Sequence, residues 1–181
     1  MTTDVQVEQT IVTTMAPRMA LDSVLAGAGL LRLNQPRQQG TPSAPTVFFT
    51  KITERNWGSP KRGQVWDSGQ GAFVTSLLQA CAATYQFMAL VPQNPEVENQ
   101  PTESDVLQQF RAIMQTDEVL DAFRAQGISI ERIADVRNPY FTDDRDQFEA
   151  NPSFDVALTY SRNYAGTIPA VSTFESSISR V

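Results

Sequence analysis

Four acidic side chains crowd into Thr142 to Glu149 (TDDRDQFE), where Asp143, Asp144, Asp146 and Glu149 are hard oxygen donors of the kind that hold calcium or magnesium. The segment lacks the glycine and the spacing of an EF-hand loop, so it reads instead as a solvated acidic turn or as partners for Arg137 and Arg145. No metal site is assigned to it. The chain contains no histidine and a single cysteine, Cys81. Imidazole acid–base chemistry, Ser-His and Cys-His dyads and His/Cys zinc sites are therefore excluded. Cys81 reads as a small buried hydrophobe. Gly27-Ala28-Gly29 and Gly69-Gln70-Gly71 lack the lysine-threonine pattern of a phosphate loop and the full dinucleotide fingerprint. The 20 acidic residues offer no spacing that singles out a glycosidase pair. No catalytic residue and no cofactor are predicted.

A second cluster has a different character. Glu54 to Gly71 (ERNWGSPKRGQVWDSGQG) carries Trp57 and Trp66 on either side of Lys61-Arg62, with four glycines and a proline. That composition suits a projecting hairpin or loop. Aromatics interleaved with cations can stack on single-stranded nucleic acid, or anchor a protein partner through Trp and Arg hot spots. The alternative is that one or both tryptophans fold back onto the domain's own core.

The elements that must position these residues follow from periodicity. Residues 8–31 read as helical through Ile11, Val12, Met15, Met19, Val24, Leu25 and Ala28, with a kink or restart at Pro17 and an end at Gly27 or Gly29. Residues 34–45, with three prolines, read as an extended connection. Thr46 to Thr53 is a β-branched, aromatic strand, and Phe73 to Val91 a long strand with a helical alternative at its alanine-rich centre. Pro92 to Pro101 is a linker. Thr102 caps a helix with Asp105 at its third position, and Thr116-Asp117 starts a second helix that Gly127 ends. Ile128 to Ile133 and Phe154 to Tyr160 alternate as strands, and the tail from Ala165 reads as an arm.

The 181 residues fit one domain, 1–181, with a core over 8–162, a projecting loop over 54–71 and a C-terminal arm over 163–181. No basic leader and no apolar run of membrane-spanning length is present, which predicts a soluble, unexported chain with no membrane partner. The net charge of −6 is uneven: residues 1–62 carry 7 basic and 4 acidic groups, residues 63–181 carry 7 and 16. No concentrated basic face exists for a sequence-specific DNA reader.

The stretch from Gly127-Ile128 through Arg137-Asn138-Pro139, then Asp143-Asp144-Arg145-Asp146-Gln147-Phe148-Glu149, then Pro152-Ser153-Phe154-Asp155-Val156, resembles the bacteriophage neck and tail terminator proteins of the gp12-like kind. The motif-level likeness covers about residues 127–160, and the order of elements extends it over 8–162. The Pro92 to Pro101 linker and the C-terminal arm look like additions, and residues 54–71 match nothing residue by residue. The resemblance implies an α+β fold, with a mixed or mainly antiparallel sheet and helices packed against it. It also implies assembly as a hexameric ring in the virion neck, put together in the host cytoplasm. That ring would cap the tail tube and join a head-completion or connector protein, and an acidic C-terminal portion lining its bore would let genomic DNA pass without specific binding.

On that reading Trp57, Lys61, Arg62, Trp66, Tyr140, Phe141, Asp143, Asp144 and Arg145 are interface candidates. The first reading is thus a structural assembly protein. Another tube, baseplate or connector subunit, a carboxylate- or metal-dependent hydrolase centred on Asp143, Asp144 and Asp146, and a single-stranded nucleic-acid binder are the alternatives.

Overall fold

A computed structural model describes residues 3–33, 42–92, 99–142 and 148–169. Helix α1 (Asp4–Met19) opens on a capping box, in which the Thr3 hydroxyl accepts the Gln6 N–H at 3.2 Å and Gln6 Oε1 accepts the Thr3 N–H at 2.8 Å. Val7, Ile11, Met15 and Met19 recur every fourth residue and are all buried. Pro17 lies in the last turn, and the helix stops two residues later.

The predicted helical continuation to residue 31 is therefore corrected. Asp22 Oδ1 accepts the N–H groups of Val24 and Leu25 at 2.9 and 3.1 Å, closing one turn of its own that buries Leu25. Gly27 follows at φ +80, a conformation that other residues rarely adopt, and releases the chain into strand β1 (Gly29–Arg32).

Residues 34–41 of the proline-rich connection lie outside the described residues. β2 (Thr46–Asp67) and β3 (Ala72–Leu90) form one long antiparallel hairpin. The alanine-rich centre of β3 is strand, not helix, because both of its edges are paired. Most of the linker, residues 93–98, also lies outside the described residues. Helices α2 (Glu103–Met114) and α3 (Asp117–Ala125) follow as read. Gly127, at φ +71, turns the chain into β4 (Ile128–Ile133). A small two-stranded sheet of β5 (Tyr140–Thr142) and β6 (Phe148–Ala150) precedes β7 (Ser153–Pro169).

The main sheet has the order β1-β2-β3-β7-β4, with only the β1–β2 pair parallel. The helices cover one face of its lower half. Alternate residues there (Val47 and Phe49 on β2, Tyr85 and Phe87 on β3, Phe154, Val156 and Leu158 on β7) are buried against Val106, Leu107 and Phe110 of α2 and Val119 and Phe123 of α3. This is an α+β domain with a mixed sheet, as the sequence suggests. Phe87 is its hub, with ring centroids 5.9 Å from Phe49, 5.3 Å from Phe110 and 5.2 Å from Phe154.

The Thr102 cap is reciprocal, since its hydroxyl accepts the Asp105 N–H at 3.2 Å and Asp105 Oδ2 accepts the Thr102 N–H at 3.0 Å. Backbone and hydroxyl hydrogen bonds from Thr102 hold the Asp105 carboxyl below its ordinary range. Replacing Thr102 by alanine should cost about 1 kcal/mol, read as a lower midpoint in urea with an unchanged slope.

Candidate assembly interface

Beyond the helices the sheet narrows to three strands. β2 from Trp57, the first half of β3 and β7 from Ser161 continue as a ribbon, from Trp57–Ala80–Ser161 at its root to Asp67–Ala72–Pro169 at its tip, with a register shift on β2 between Trp57 and Lys61. Apart from the first turn of α1 at its root, no helix among the described residues packs on either face of it. Asp67 Oδ1 accepts the Gly69 and Gln70 N–H groups at 2.9 and 3.3 Å and closes the turn at Ser68–Gly71. The predicted projecting element is thus a hairpin extension, with only four residues of loop at its tip. The predicted arm from Ala165 is likewise corrected: residues 165–169 are β7 strand, held by pairing with β3. Residues 170–181 lie outside the described residues.

Strand alternation sorts the ribbon's side chains onto two faces. On the helix-side face, one row is Trp66–Phe73–Ile168 and the next apolar row is Arg62–Leu77–Tyr164. Trp66 and Phe73 meet edge to face with centroids 4.9 Å apart. On the opposite face lie Trp57 beside Ala80, Lys61 beside Leu78, and Val65 beside Val74. The Arg55 guanidinium stands 5.1 Å from the Trp57 ring centroid. Both tryptophans remain 47% exposed, and Val65 70%, so neither indole folds back into the core. A ribbon with apolar groups on both faces presents, on this chain alone, surface that soluble domains ordinarily cover.

The root of the ribbon is pinned by charge. Lys51 Nζ contacts Asp4 and sits 2.7 Å from Glu54, and Arg162 contacts Asp4 and sits 2.9 Å from Glu54. Two cations and two carboxylates thereby tie the first turn of α1 to β2 and β7. Burial alone would raise the Asp4 carboxyl, but the hydrogen bond from Lys51 and the charges of Lys51 and Arg162 outweigh it and hold Asp4 low. Burial alone would lower the Lys51 ammonium, but its hydrogen bonds to Asp4 and Glu54 outweigh that and hold it high.

The signs give a window. Asp4 contributes stability that is full above its ordinary 3.8 and is lost as pH falls through its lower folded-state value. Lys51 contributes stability that is full below its ordinary 10.5 and is lost as pH rises through its higher folded-state value. Hydrogen exchange in the first turn of α1 should accordingly be slowest, relative to intrinsic rates, between these limits and should quicken beyond both. Glu8 acts with the opposite sign. Burial pushes its carboxyl up against the opposing charge of Arg32, 2.9 Å away, so its ionisation weakens the fold as pH rises through that raised value.

Of the sequence-predicted interface residues, Trp57, Lys61, Arg62 and Trp66 all stand on the ribbon, divided between its faces. They do not form one gripping loop. Tyr140 and Phe141 belong to β5, which pairs with β6 in a two-stranded sheet separate from the one that carries the ribbon. Asp143, Asp144 and Arg145, with Asp146, lie outside the described residues. Sequence reasoning missed Phe73, Leu78, Tyr164 and Ile168, each between 41% and 49% exposed. The signal for Tyr164 and Ile168 is the continued two-residue alternation through Tyr160, Arg162 and Tyr164, which the sparse apolar content after Tyr160 obscures.

No curated protein matches the chain. A family model described as E217 gateway protein gp29 matches residues 6–170, from α1 to the tip of the ribbon. The match spans the helical layer, the sheet and the ribbon together, and the chain belongs to this family of phage structural gateway proteins.

Proposed function

We propose that this chain is a structural component of the phage neck that assembles as a hexameric ring, caps the head-proximal end of the tail tube and joins it to the head-completion or connector protein. The observation that carries the reading is the ribbon: exposed tryptophan, phenylalanine and isoleucine on an element that projects past the helices, in a chain of a gateway family. A closed ring needs contacts between unlike surfaces of successive copies, so that rotation returns to the start. An element with two different apolar faces and two different margins suits that need.

Genomic DNA passes through the bore of such a ring without specific binding. The net charge of −9 over residues 63–181 supports this, because like-charge repulsion keeps phosphate from adhering. The role asks for no reactive centre.

Tail tubes grown in the presence of the purified protein test the proposal. Tubes that stop at a fixed length, with this chain at one end, support a terminator. Tubes that lengthen by incorporating it would make it a tube subunit instead.

A further inference from the structure

Two margins of the ribbon have no strand beside them among the described residues. β1 covers β2 only from Thr46 to Phe49, and β4 covers β7 only from Val156 to Tyr160. Above those levels β2 is one edge of the ribbon and β7 the other. The irregularity between Trp57 and Lys61 interrupts β2, so its straight upper segment is Lys61–Asp67. Read across β3, Lys61 is level with Leu78 and Asn163, and Asp67 with Ala72 and Pro169. The segments Lys61–Asp67 and Asn163–Pro169 of the two margins therefore match in height and length. They also run in the same direction, because each is antiparallel to β3.

We infer that copies of this chain join edge to edge, with Asn163–Pro169 of one copy pairing in parallel with Lys61–Asp67 of the next. The inference rests on the ring reading above and names its junction. Open strand edges are templates for pairing with another chain. Rotation about a ring axis carries one copy onto the next without reversing its strands, so it brings β7 against the neighbour's β2 in parallel. A two-fold axis would instead set β2 against β2 in antiparallel and leave both β7 margins bare. Level pairing also continues the ribbon's rows: Ile168 comes beside the next copy's Trp66, and Tyr164 beside its Arg62, a cation next to an aromatic face.

Disulfide trapping tests the junction. Val65 and Thr167 share a row on the face opposite Trp66, with Val74 between them. In one chain they are two strand spacings apart, about 9.6 Å, too far for a disulfide. Cys81 is 2% exposed and does not compete. Under mild oxidation V65C/T167C should give a ladder of covalent oligomers, and V65C or T167C alone should give none. V65C paired with A165C or with N163C, both on the same face, reads a junction shifted along the strands. A covalent dimer from V65C alone would establish the two-fold pairing and overturn the inference. Particles of full ring mass with no ladder from any of the three pairs would overturn the junction and leave the ring standing. A chain that stays monomeric defeats both.

Discussion

A variant with Trp57 and Trp66 both replaced by alanine should fold and fail to assemble. Neither indole belongs to the core, and each is 47% exposed. The losses within the chain are the edge-to-face contact of Trp66 with Phe73 and the Arg55 cation over Trp57, together about 1–2 kcal/mol. Between chains the arithmetic differs. A buried tryptophan anchor at an interface is worth about 2 kcal/mol or more, so losing two weakens association by at least about 100-fold even when their effects overlap. Light scattering on the variant at the concentration where the parent is assembled reads this directly, with urea unfolding as the control. Full assembly of a folded double variant would remove the ribbon faces from the account.

Phe87→Ala should have the opposite signature. Phe87 is fully buried between Phe49, Phe110 and Phe154 and joins the sheet to α2. Emptying that site removes three ring contacts at once and leaves a cavity walled by β-strands and a helix that cannot easily close on it. A cost of about 3–5 kcal/mol follows, a large part of the about 5–15 kcal/mol that holds a domain of this kind together. The urea midpoint should fall accordingly, or the variant should be recovered only in aggregates. A loss under 1 kcal/mol would mean that the aromatic hub is not where the helical layer is fastened to the sheet.

Much of this architecture was legible from local chemistry, and the exceptions have one physical cause. The Thr102–Asp105 box, the restart at Thr116-Asp117 and the stop at Gly127 are set by groups within three or four residues of one another, and they appear where the sequence places them. Phe154, Val156, Leu158 and Tyr160 alternate because one side of β7 meets the helices. What was illegible depends on distant partners. Ser161 to Pro169 holds as strand because β3 lies beside it, residue for residue, although its own propensity is poor. Gly29–Arg32 becomes strand through pairing with Thr46–Phe49 rather than continuing α1.

The candidate interface divides in the same way. Trp57, Lys61, Arg62 and Trp66 stand out by residue type, but their separation onto two faces depends on the register with β3 and on the irregularity between Trp57 and Lys61. Phe73, Tyr164 and Ile168 gain significance only once three strands are seen to leave the helices behind together.

In the proposed role this chain acts through the surfaces it offers to its own copies and to neighbouring virion proteins. The mass of the purified protein in solution, followed by light scattering over a wide concentration range and again with tail tubes present, tests that claim most directly. The predicted result is a single closed species, about 120 kDa for six copies of the 20.0 kDa chain, formed by the protein alone or on tube ends. A 20.0 kDa particle at every concentration, still free in solution beside the tubes, would contradict it.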